Sequence, residues 1–368
     1  MRVVKWGEEL WKRQGQTLLK LMNSDKGLSR RTFLGGLTAC AASALLPECQ
    51  AAEPAPGGAA PFRIDVHHHL APPGFVREIV ARKTGQRPLV EWTPAKSIEA
   101  MDKAGIATSI TSVSEPGVWF GDNAAARVLA RECNEYGARM VRDHAGRFGL
   151  FASLPIPDVE ASLREIEYSL DVLKADGICM MTSYGGQYLG DPAFAPVMDE
   201  LNRRKAVVYT HPVRADCCRN LIPGVGENVI ELATDTARTI TSLLVSGTPS
   251  RCPQVRFIFS HAGGTLPSLT GRILQLYAAN KDFAQRLPDG PLAELRKFYY
   301  DTANASNPWS LAPLLKLVAV SQVVLGTDYP LRSPEANVKD LIELGFSAGD
   351  LRAIHRDNAL ALLPRLRV

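Results

Sequence analysis

The chain has 368 residues, of which 46% are hydrophobic and 22% are charged, with 42 Lys and Arg residues against 38 Asp and Glu residues. This composition is that of a globular protein and excludes a disordered or fibrous chain. Eight of the basic residues and three of the acidic ones lie within residues 1–33, so the rest of the chain is close to neutral and lacks the basic excess of a nucleic-acid-binding protein.

The basic N-terminal segment is typical of a twin-arginine export signal. Ser29-Arg30-Arg31-Thr32-Phe33-Leu34 begins an uncharged apolar stretch that ends at Leu46. A membrane-spanning helix needs about 20 apolar residues, so we expect no stable membrane span once the leader is removed. We predict a leader over residues 1–52, a linker over 53–61 without packing residues, and an exported, periplasmic mature protein.

Two features of the leader leave alternatives open. Leu37-Thr38-Ala39-Cys40 resembles a lipobox, which would place a lipid on Cys40 and make the mature protein a lipoprotein. Residues 1–21 form an unusual extension ahead of the signal, and Met22 would begin a leader of more usual length.

From Phe62 onward, short apolar strand patterns alternate with helical patterns. Eight strands are predicted, over residues 62–66, 108–113, 148–154, 177–181, 206–209, 255–260, 298–301 and 322–326. Helices between them include residues 124–142, 159–174, 194–203 and 266–279. Eight β/α repeats are the number in a closed barrel, so residues 62–368 are predicted to form a single (β/α)₈ domain. An open doubly wound sheet is the alternative, but no GxGxxG motif follows the first strand.

Five histidines and an aspartate lie at the ends of predicted strands. His67, His68 and His69 close the first strand; because side chains alternate along a strand, His67 and His69 point the same way and can chelate one ion. Three further strands end in a potential ligand, namely His211, His261 and Asp328. The carboxyl ends of all barrel strands lie on one face, so we expect these groups to meet there.

Imidazoles combined with one carboxylate are typical of a catalytic metal site with an open coordination position. Zn²⁺ is the first choice for such ligands, with Mn²⁺ or Mg²⁺ compatible. His68 is expected to pack or to support the ligands, and His144 and His355, which lie in helical patterns, are expected to be structural. Cys133 and Cys179 are expected to be buried, whereas Cys217-Cys218 could line a pocket.

These motifs resemble a known enzyme superfamily. Asp65-Val66-His67-His68-His69, His211, His261-Ala262-Gly263-Gly264 and Gly326-Thr327-Asp328-Tyr329-Pro330 are similar to the amidohydrolase superfamily, specifically the branch of 2-amino-3-carboxymuconate 6-semialdehyde decarboxylase and related aromatic acid decarboxylases. The resemblance covers residues 62 to about 363. It implies that His67, His69, His211 and Asp328 ligate one divalent ion, that His261 orients or deprotonates metal-bound water or substrate, and that the protein is a homodimer.

Two details refine the resemblance. Gly105-Ile106-Ala107-Thr108, Ser112-Val113-Ser114, the segment 184–192 and Cys217-Cys218 further resemble 6-methylsalicylate decarboxylases. Binuclear members of the superfamily carry a carbamylated lysine at the end of strand four, whereas Ile178-Cys179-Met180-Met181-Thr182-Ser183 contains none. A single metal ion is therefore implied.

The resulting hypothesis is a carboxy-lyase that removes CO₂ from a small hydroxylated aromatic, or related unsaturated, carboxylic acid without redox chemistry. Either Asp328 or His261 would deliver the proton to the ring. Arg214 is a candidate to hold the substrate carboxylate through a bidentate fork, and Tyr184 and Trp119 are candidates for an aromatic wall.

Two alternatives use the same residues. A hydrolase of the lactonase or amidase type would employ the same ligands, with His261 assisting attack on a carbonyl. A non-catalytic exported metal or ligand binder is the second alternative, although binding alone does not require His261. Release of CO₂ from a hydroxybenzoate separates the decarboxylase from both.

Overall fold

The computed structural model describes residues 62–366. The predicted leader and linker lie outside the described residues, so their boundaries stay a prediction. Within residues 62–366, no helix is both long and apolar enough to cross a lipid bilayer.

A barrel of eight parallel strands forms the centre of the fold. The strands are β1 (Arg63–Leu70), β2 (Ile106–Val113), β3 (Phe148–Ser153), β4 (Gly177–Met181), β5 (Val207–His211), β6 (Arg256–Phe259), β7 (Tyr299–Asp301) and β8 (Val323–Val324). Each strand pairs in parallel with the next one along the chain, from β1 to β8. The predicted α/β barrel and all eight predicted strands are confirmed.

The segment after β8 returns to β1 and brings the barrel to near closure. The backbone N–H of Asp328 donates to the carbonyl of His67 at 2.8 Å, and the N–H of His69 donates to the carbonyl of Tyr329 at 2.7 Å. These bonds explain why β1 continues to Leu70, four residues beyond its predicted end at Val66. They also hold the two histidines of β1 directly against the loop that carries Asp328.

Helices surround the barrel. Those of nine or more residues are α1 (Pro73–Ala81), α2 (Pro94–Lys103), α3 (Asn123–Asp143), α4 (Val159–Glu167), α5 (Ala195–Arg203), α6 (Glu227–Ser246), α7 (Leu266–Ala279), α8 (Pro308–Leu317) and α9 (Pro334–Glu343). Shorter α-helical segments are Arg87–Val90, Thr248–Arg251, Lys281–Arg286, Pro291–Leu295, Ala348–Arg352 and Asn358–Leu362. Single 3₁₀ turns cover Pro192–Phe194, Asp216–Cys218, His261–Gly263, Val320–Gln322 and Pro364–Leu366, and π turns cover Tyr168–Val172 and Ala353–Asp357.

Local side chains set where these helices begin and end. The carboxylate of Asp122 accepts the backbone N–H groups of Ala124 and Ala125 at the start of α3, and Asp158 does the same for Ala161 in α4. Each such cap stabilises its helix by about 1 kcal/mol. At the C-terminal end of α6, Gly247 adopts the left-handed conformation, with φ of 74°. Residues with a Cβ atom adopt this conformation only with strain.

The core lies inside the barrel and between the barrel and the helices. Its largest fully buried side chains include Tyr209 and Phe151, whose rings stack with centroids 5.5 Å apart. Cys133 and Cys179 are buried, as predicted. His355 is also buried, and both it and His144 pack edge-on against phenylalanine rings, which agrees with their predicted structural roles.

Candidate metal centre and active site

Four side chains converge at the carboxyl ends of the strands. His67 and His69 belong to β1, His211 ends β5, and Asp328 lies in the loop after β8. All four are buried, and each offers one ligand atom within 4.8 Å of the others. The structure thus brings together the four residues predicted to hold a metal ion.

Backbone carbonyls fix the protonation of two of these imidazoles. Nδ1 of His69 lies 3.3 Å from the carbonyl oxygen of Ser112, and Nδ1 of His211 lies 2.9 Å from that of Pro212. A carbonyl oxygen only accepts hydrogen bonds, so both Nδ1 atoms carry the proton in the neutral rings. Each Nε2 atom therefore presents a lone pair to the centre of the site.

The third imidazole is oriented by a carboxylate. Nδ1 of His67 donates to Asp301 at 2.8 Å, which leaves Nε2 of His67 pointing into the site at 3.2 Å from Nε2 of His69. Both Nε2 atoms face Oδ1 of Asp328, at 3.2 and 3.0 Å. Nε2 of His211 is buried and has no hydrogen-bond partner within residues 62–366.

This donor set fits a divalent cation. Three imidazole lone pairs and one carboxylate oxygen share a buried space, and such an arrangement is unfavourable unless a positive charge lies between them. The end of β4 contributes no lysine, since Cys179, Met180 and Met181 are buried apolar residues there. The arrangement therefore suits one ion rather than the lysine-bridged pair of ions of binuclear relatives.

The pKa values of the ligands show how charge is balanced without a metal. Burial lowers the pKa of His69 and lowers that of His211 well below its usual value, so both rings are neutral ligands. Burial also acts to lower the pKa of His67, but Asp301 and Asp328 together raise it to about 10. Burial acts to raise the pKa of Asp328, yet the neighbouring histidines hold it well below its usual range. A proton on His67 thus occupies the place that a metal ion would take.

Asp301, the last residue of β7, accepts hydrogen bonds from a candidate metal ligand and from the backbone of the neighbouring turn. Its Oδ2 accepts the Nδ1–H of His67, while its Oδ1 accepts the backbone N–H groups of His261 and Ala303 at 2.9 and 3.0 Å. Sequence reasoning assigned this residue no role. Its position at the end of a predicted barrel strand, equivalent to that of His211, is the signal that could have identified it.

His261 lies beside the four ligands but outside their cluster. It begins a tight turn after β6, and both His261 and Ala262 have φ of 56°. Nε2 of His261 is 3.7 Å from Oδ2 of Asp328, beyond hydrogen-bond distance, and it has no hydrogen-bond partner within the described residues. Nε2 of His261 is therefore available to a molecule bound in the adjacent cavity, which His261 lines.

Asn304 is a second residue that sequence reasoning missed. It follows β7, has φ of 54°, and donates its Nδ2–H to Oδ2 of Asp328 at 2.5 Å. The two oxygens of Asp328 are therefore distinguished: Oδ1 faces the histidines of β1, and Oδ2 faces Asn304 and His261. No sequence pattern identifies Asn304, because its role depends on the conformation of a loop.

Asp65 and His68 support the strand that carries the ligands. Asp65 accepts the backbone N–H of His67 and both the backbone N–H and the hydroxyl of Thr327, at 2.6 to 3.0 Å. His68 points away from the ligands, with Nδ1 at 3.1 Å from Asp65 and Nε2 at 3.0 Å from the hydroxyl of Ser97. The expectation that His68 packs or supports the ligands is confirmed.

Two cavities that share lining residues lie at this end of the barrel, and candidate ligands line one of them. The larger one has a volume of about 590 Å³ and is called the metal-bearing cavity because two of the candidate metal ligands line it; its lining includes His211, His261, Asn304, Asp328, Leu331 and Arg332. The adjoining cavity, of about 350 Å³, is lined by residues that include Trp119, Tyr184, Tyr188, Val213 and Cys217. Glu115 and Arg214 line both, so this pair forms the boundary between them.

Arg214, the candidate for binding the substrate carboxylate, lines both cavities, and its charge is already paired. Its guanidinium lies 2.8 Å from the carboxylate of Glu115 and 3.6 Å from that of Glu227. Glu115 is almost completely buried, and burial raises its pKa although Arg214 opposes this shift. Because the guanidinium of Arg214 already faces two carboxylates, it is a poor candidate to hold the carboxylate of a substrate as well.

The structure places the two predicted aromatic residues in the adjoining cavity. Tyr184 is buried in a short hairpin formed by Ser183–Tyr184 and Gln187–Tyr188, and its hydroxyl accepts the backbone N–H of Met181 at 2.8 Å. Trp119 is partly buried and donates its indole N–H to Asn123 at 2.9 Å. Neither ring lines the metal-bearing cavity, so each could contact only a part of a ligand that extends past Glu115 and Arg214.

Comparison with known sequences identifies the protein family that the chain matches. The sequence profile of the amidohydrolase family matches residues 64–365. A decarboxylase named yanB from Aspergillus niger is 39% identical over 329 residues, which cover 83% of this chain and 88% of the relative. The 6-methylsalicylic acid decarboxylase acuB from Aspergillus aculeatus is 35% identical over 322 residues, which cover 83% of this chain and 97% of the relative.

Solved structures share the fold. The crystal structure of 5-carboxyvanillate decarboxylase from Novosphingobium aromaticivorans, in complex with manganese and 4-hydroxy-3-methoxy-5-nitrobenzoic acid, superimposes with a TM-score of 0.73 at 20% identity. The match covers 82% of this chain and 96% of that one. Fold, ligand geometry and sequence therefore agree, and the chain belongs to the amidohydrolase family.

Proposed function

We propose that the protein is a metal-dependent decarboxylase that releases CO₂ from a hydroxylated aromatic carboxylic acid of the salicylate type. The observation that carries this proposal is the convergence of three imidazole lone pairs and the Asp328 carboxylate beside His261, whose Nε2 is free. A metal-binding protein without catalytic activity has no need of this fifth group. The names of the relatives make 6-methylsalicylic acid the first substrate to test.

The metal would be held by His67, His69, His211 and the Oδ1 atom of Asp328. A divalent ion bound there would supply Lewis-acid stabilisation for negative charge on a substrate oxygen. We propose Zn²⁺, since imidazole and carboxylate are its usual catalytic ligands, with Mn²⁺ as the alternative. Metal analysis of the purified protein, followed by activity measurements after chelation and reloading with each ion, distinguishes the two.

The side chains of the site supply the proton that the ring carbon of the substrate needs before CO₂ can leave. Direct loss of CO₂ would leave an electron pair on an sp² ring carbon, so protonation of that carbon comes first. Either Nε2 of His261 or Oδ2 of Asp328, which lie 3.7 Å apart, delivers the proton to the carbon that bears the carboxylate. The bond to the carboxylate then breaks, its electron pair restores the aromatic ring, and CO₂ leaves.

The test compares decarboxylation with hydrolysis. Metal-loaded protein is incubated with 6-methylsalicylic acid, and CO₂ and 3-methylphenol are measured in equal amounts if the proposal is right. The variant His261→Asn should retain the metal, because His261 is not a ligand, and should lose turnover by about 100-fold or more. Hydrolysis of lactones or amides without CO₂ from any hydroxybenzoate would instead establish the hydrolase alternative.

Export and assembly are proposed on the sequence alone. The twin-arginine motif at residues 29–34 supports export of the folded protein to the periplasm. Because the protein folds before export, the metal ion would be inserted in the cytoplasm. Metal-loaded protein should therefore be found in the cytoplasm when export is blocked. The proposed homodimer rests on the resemblance to the decarboxylase branch, and size-exclusion chromatography with light scattering tests it.

A further inference from the structure

Two arginines line the metal-bearing cavity, and their surroundings differ. Arg214 faces the carboxylates of Glu115 and Glu227. Arg332 is exposed, and its guanidinium has no ion-pair or hydrogen-bond partner among residues 62–366. Arg332 is thus the arginine of this cavity whose charge is not yet compensated by the protein.

The backbone fixes Arg332 relative to the ligands. The carbonyl oxygen of Asp328 accepts the backbone N–H groups of Leu331 and Arg332, at 2.8 and 3.1 Å. Asp328 itself is held by the hydrogen bond from its own N–H to the carbonyl of His67. The turn that presents the carboxylate ligand therefore also carries Arg332 to the wall of the same cavity.

We propose that Arg332, and not Arg214, is the residue that holds the carboxylate of the substrate. This inference rests on the proposed function. To bind a substrate carboxylate, Arg214 would have to share a guanidinium that the buried carboxylate of Glu115 already contacts, and separating that pair leaves a buried charge unpaired. Arg332 needs no such exchange, and its planar fork matches a carboxylate in a bidentate geometry.

The chemistry of the reaction predicts which kinetic constant Arg332 controls. The carboxylate carries a full negative charge in the bound substrate, but that charge is lost as neutral CO₂ forms. An interaction with this group is therefore stronger in the bound substrate than in the transition state, so it lowers KM without raising kcat. Replacing Arg332 should raise KM by about 10-fold and leave kcat unchanged or higher.

Binding measurements test the assignment independently of turnover. In the full-length, metal-loaded His261→Asn background, calorimetry gives the Kd of 6-methylsalicylic acid and of its uncharged amide, 2-hydroxy-6-methylbenzamide. Arg332→Gln should weaken binding of the acid by about 10-fold and leave binding of the amide unchanged, while Arg332→Lys should restore part of the loss. The matched control is Arg142→Gln, since Arg142 is exposed at the end of α3 and lines neither cavity.

The outcomes distinguish a failure of the Arg332 assignment from a failure of the proposed function. Unchanged binding of the acid in Arg332→Gln, with a loss of acid binding in Arg214→Gln, would overturn the role of Arg332 and leave the proposed function intact. Equal losses for the acid and the amide would also overturn it, because the effect would then not depend on the carboxylate charge. Failure of the parent protein to bind or decarboxylate any hydroxybenzoate would overturn the proposed function and this inference together.

Discussion

The carboxylate of Asp301 accepts the Nδ1–H of His67 at 2.8 Å and, through its other oxygen, the backbone N–H of His261 at 2.9 Å. One buried group thus orients both a proposed metal ligand and the proposed carrier of the catalytic proton. A carboxylate behind a ligating imidazole fixes its tautomer and increases its basicity. Asp301 therefore couples metal affinity to the position of His261.

The substitution Asp301→Asn tests this coupling. The amide oxygen of Asn can replace one carboxylate oxygen as acceptor, but the amide NH₂ would then face the N–H donors of the other oxygen, which are His67 on Oδ2 or His261 and Ala303 on Oδ1. We expect metal affinity to fall by about 10- to 100-fold and the free energy of unfolding to fall by about 1–3 kcal/mol. Metal titration and urea unfolding measure the two effects. Asp289→Asn is the control, since Asp289 is 67% exposed, and equal metal affinity in both variants would contradict the role of Asp301.

The stability of the metal-free protein should decrease at alkaline pH. Asp301 and Asp328 raise the pKa of His67 from 6.5 to about 10 against the effect of burial. A raised histidine pKa means that the protonated form stabilises the fold. This stabilisation is complete below pH 6.5 and is lost as pH rises through about 10. Urea unfolding of metal-free protein at pH 7 and pH 9.5 measures the loss, which His67→Asn should abolish.

Metal binding should show the opposite pH dependence. An ion bound to Nε2 of His67 displaces the proton that this ring holds in the metal-free protein. Metal affinity should therefore increase with pH, by up to about tenfold per pH unit for one displaced proton, until pH reaches the pKa of His67. Competition titrations with a chelator between pH 6 and 9 measure this slope. A slope of zero would mean that His67 is neutral before the metal binds.

The ligand set could be predicted from the sequence because it follows from strand geometry. His67 and His69 share a face because side chains alternate along β1, and His211 ends another strand at the same end of the barrel. Asp301 satisfies the same rule, but an aspartate at a strand end is also common as a structural residue, so the sequence alone assigns it no role. The position of a residue at a strand end predicts which side chains lie close together. Only the interatomic distances in the structure show which of them form hydrogen bonds.

Residues in loops could not be predicted in this way. Arg214 is predicted as a candidate to hold the substrate carboxylate, but the sequence does not reveal that the loop after β2 brings Glu115 within 2.8 Å of its guanidinium. Tyr184 is predicted as a candidate for an aromatic wall, and a short hairpin places its ring in the adjoining cavity. Asn304 reaches Asp328 only because its backbone is left-handed. Each contact depends on loop conformations that no periodic pattern encodes.

Export should depend on the pair of arginines in the predicted leader. The twin-arginine receptor reads both side chains, so Arg30→Lys combined with Arg31→Lys should leave a precursor of full length in the cytoplasm. Cell fractionation and mass spectrometry of the mature N-terminus measure the effect, and Lys26→Arg, which lies in the leader but outside the motif, is the control. Undiminished export of the double variant would contradict the twin-arginine assignment. A membrane-bound mature form that Cys40→Ser releases would favour the lipoprotein alternative.

Gly264 allows the turn of His261 to approach helix α6 closely. The residue has φ of 61°, and a Cβ atom built on it would lie 1.9 Å from the backbone carbonyl oxygen of Ala233 in α6. The backbone N–H of Thr265 donates to that same oxygen at 3.1 Å, so the two segments are directly bonded. Both Gly264 and Ala233 line the metal-bearing cavity, so a displacement here would also move its wall.

We therefore expect Gly264→Ala to lower the free energy of unfolding by about 3 kcal/mol or more and to reduce turnover. Gly271→Ala in α7 is the matched control, because a Cβ atom there meets no atom within 4 Å. In this exposed helical position, alanine should be neutral or stabilise the protein by up to about 1 kcal/mol. Urea unfolding and the CO₂ assay applied to both variants measure the difference. Equal stability of the two variants would contradict the prediction, because it would show that α6 and the turn can separate without cost.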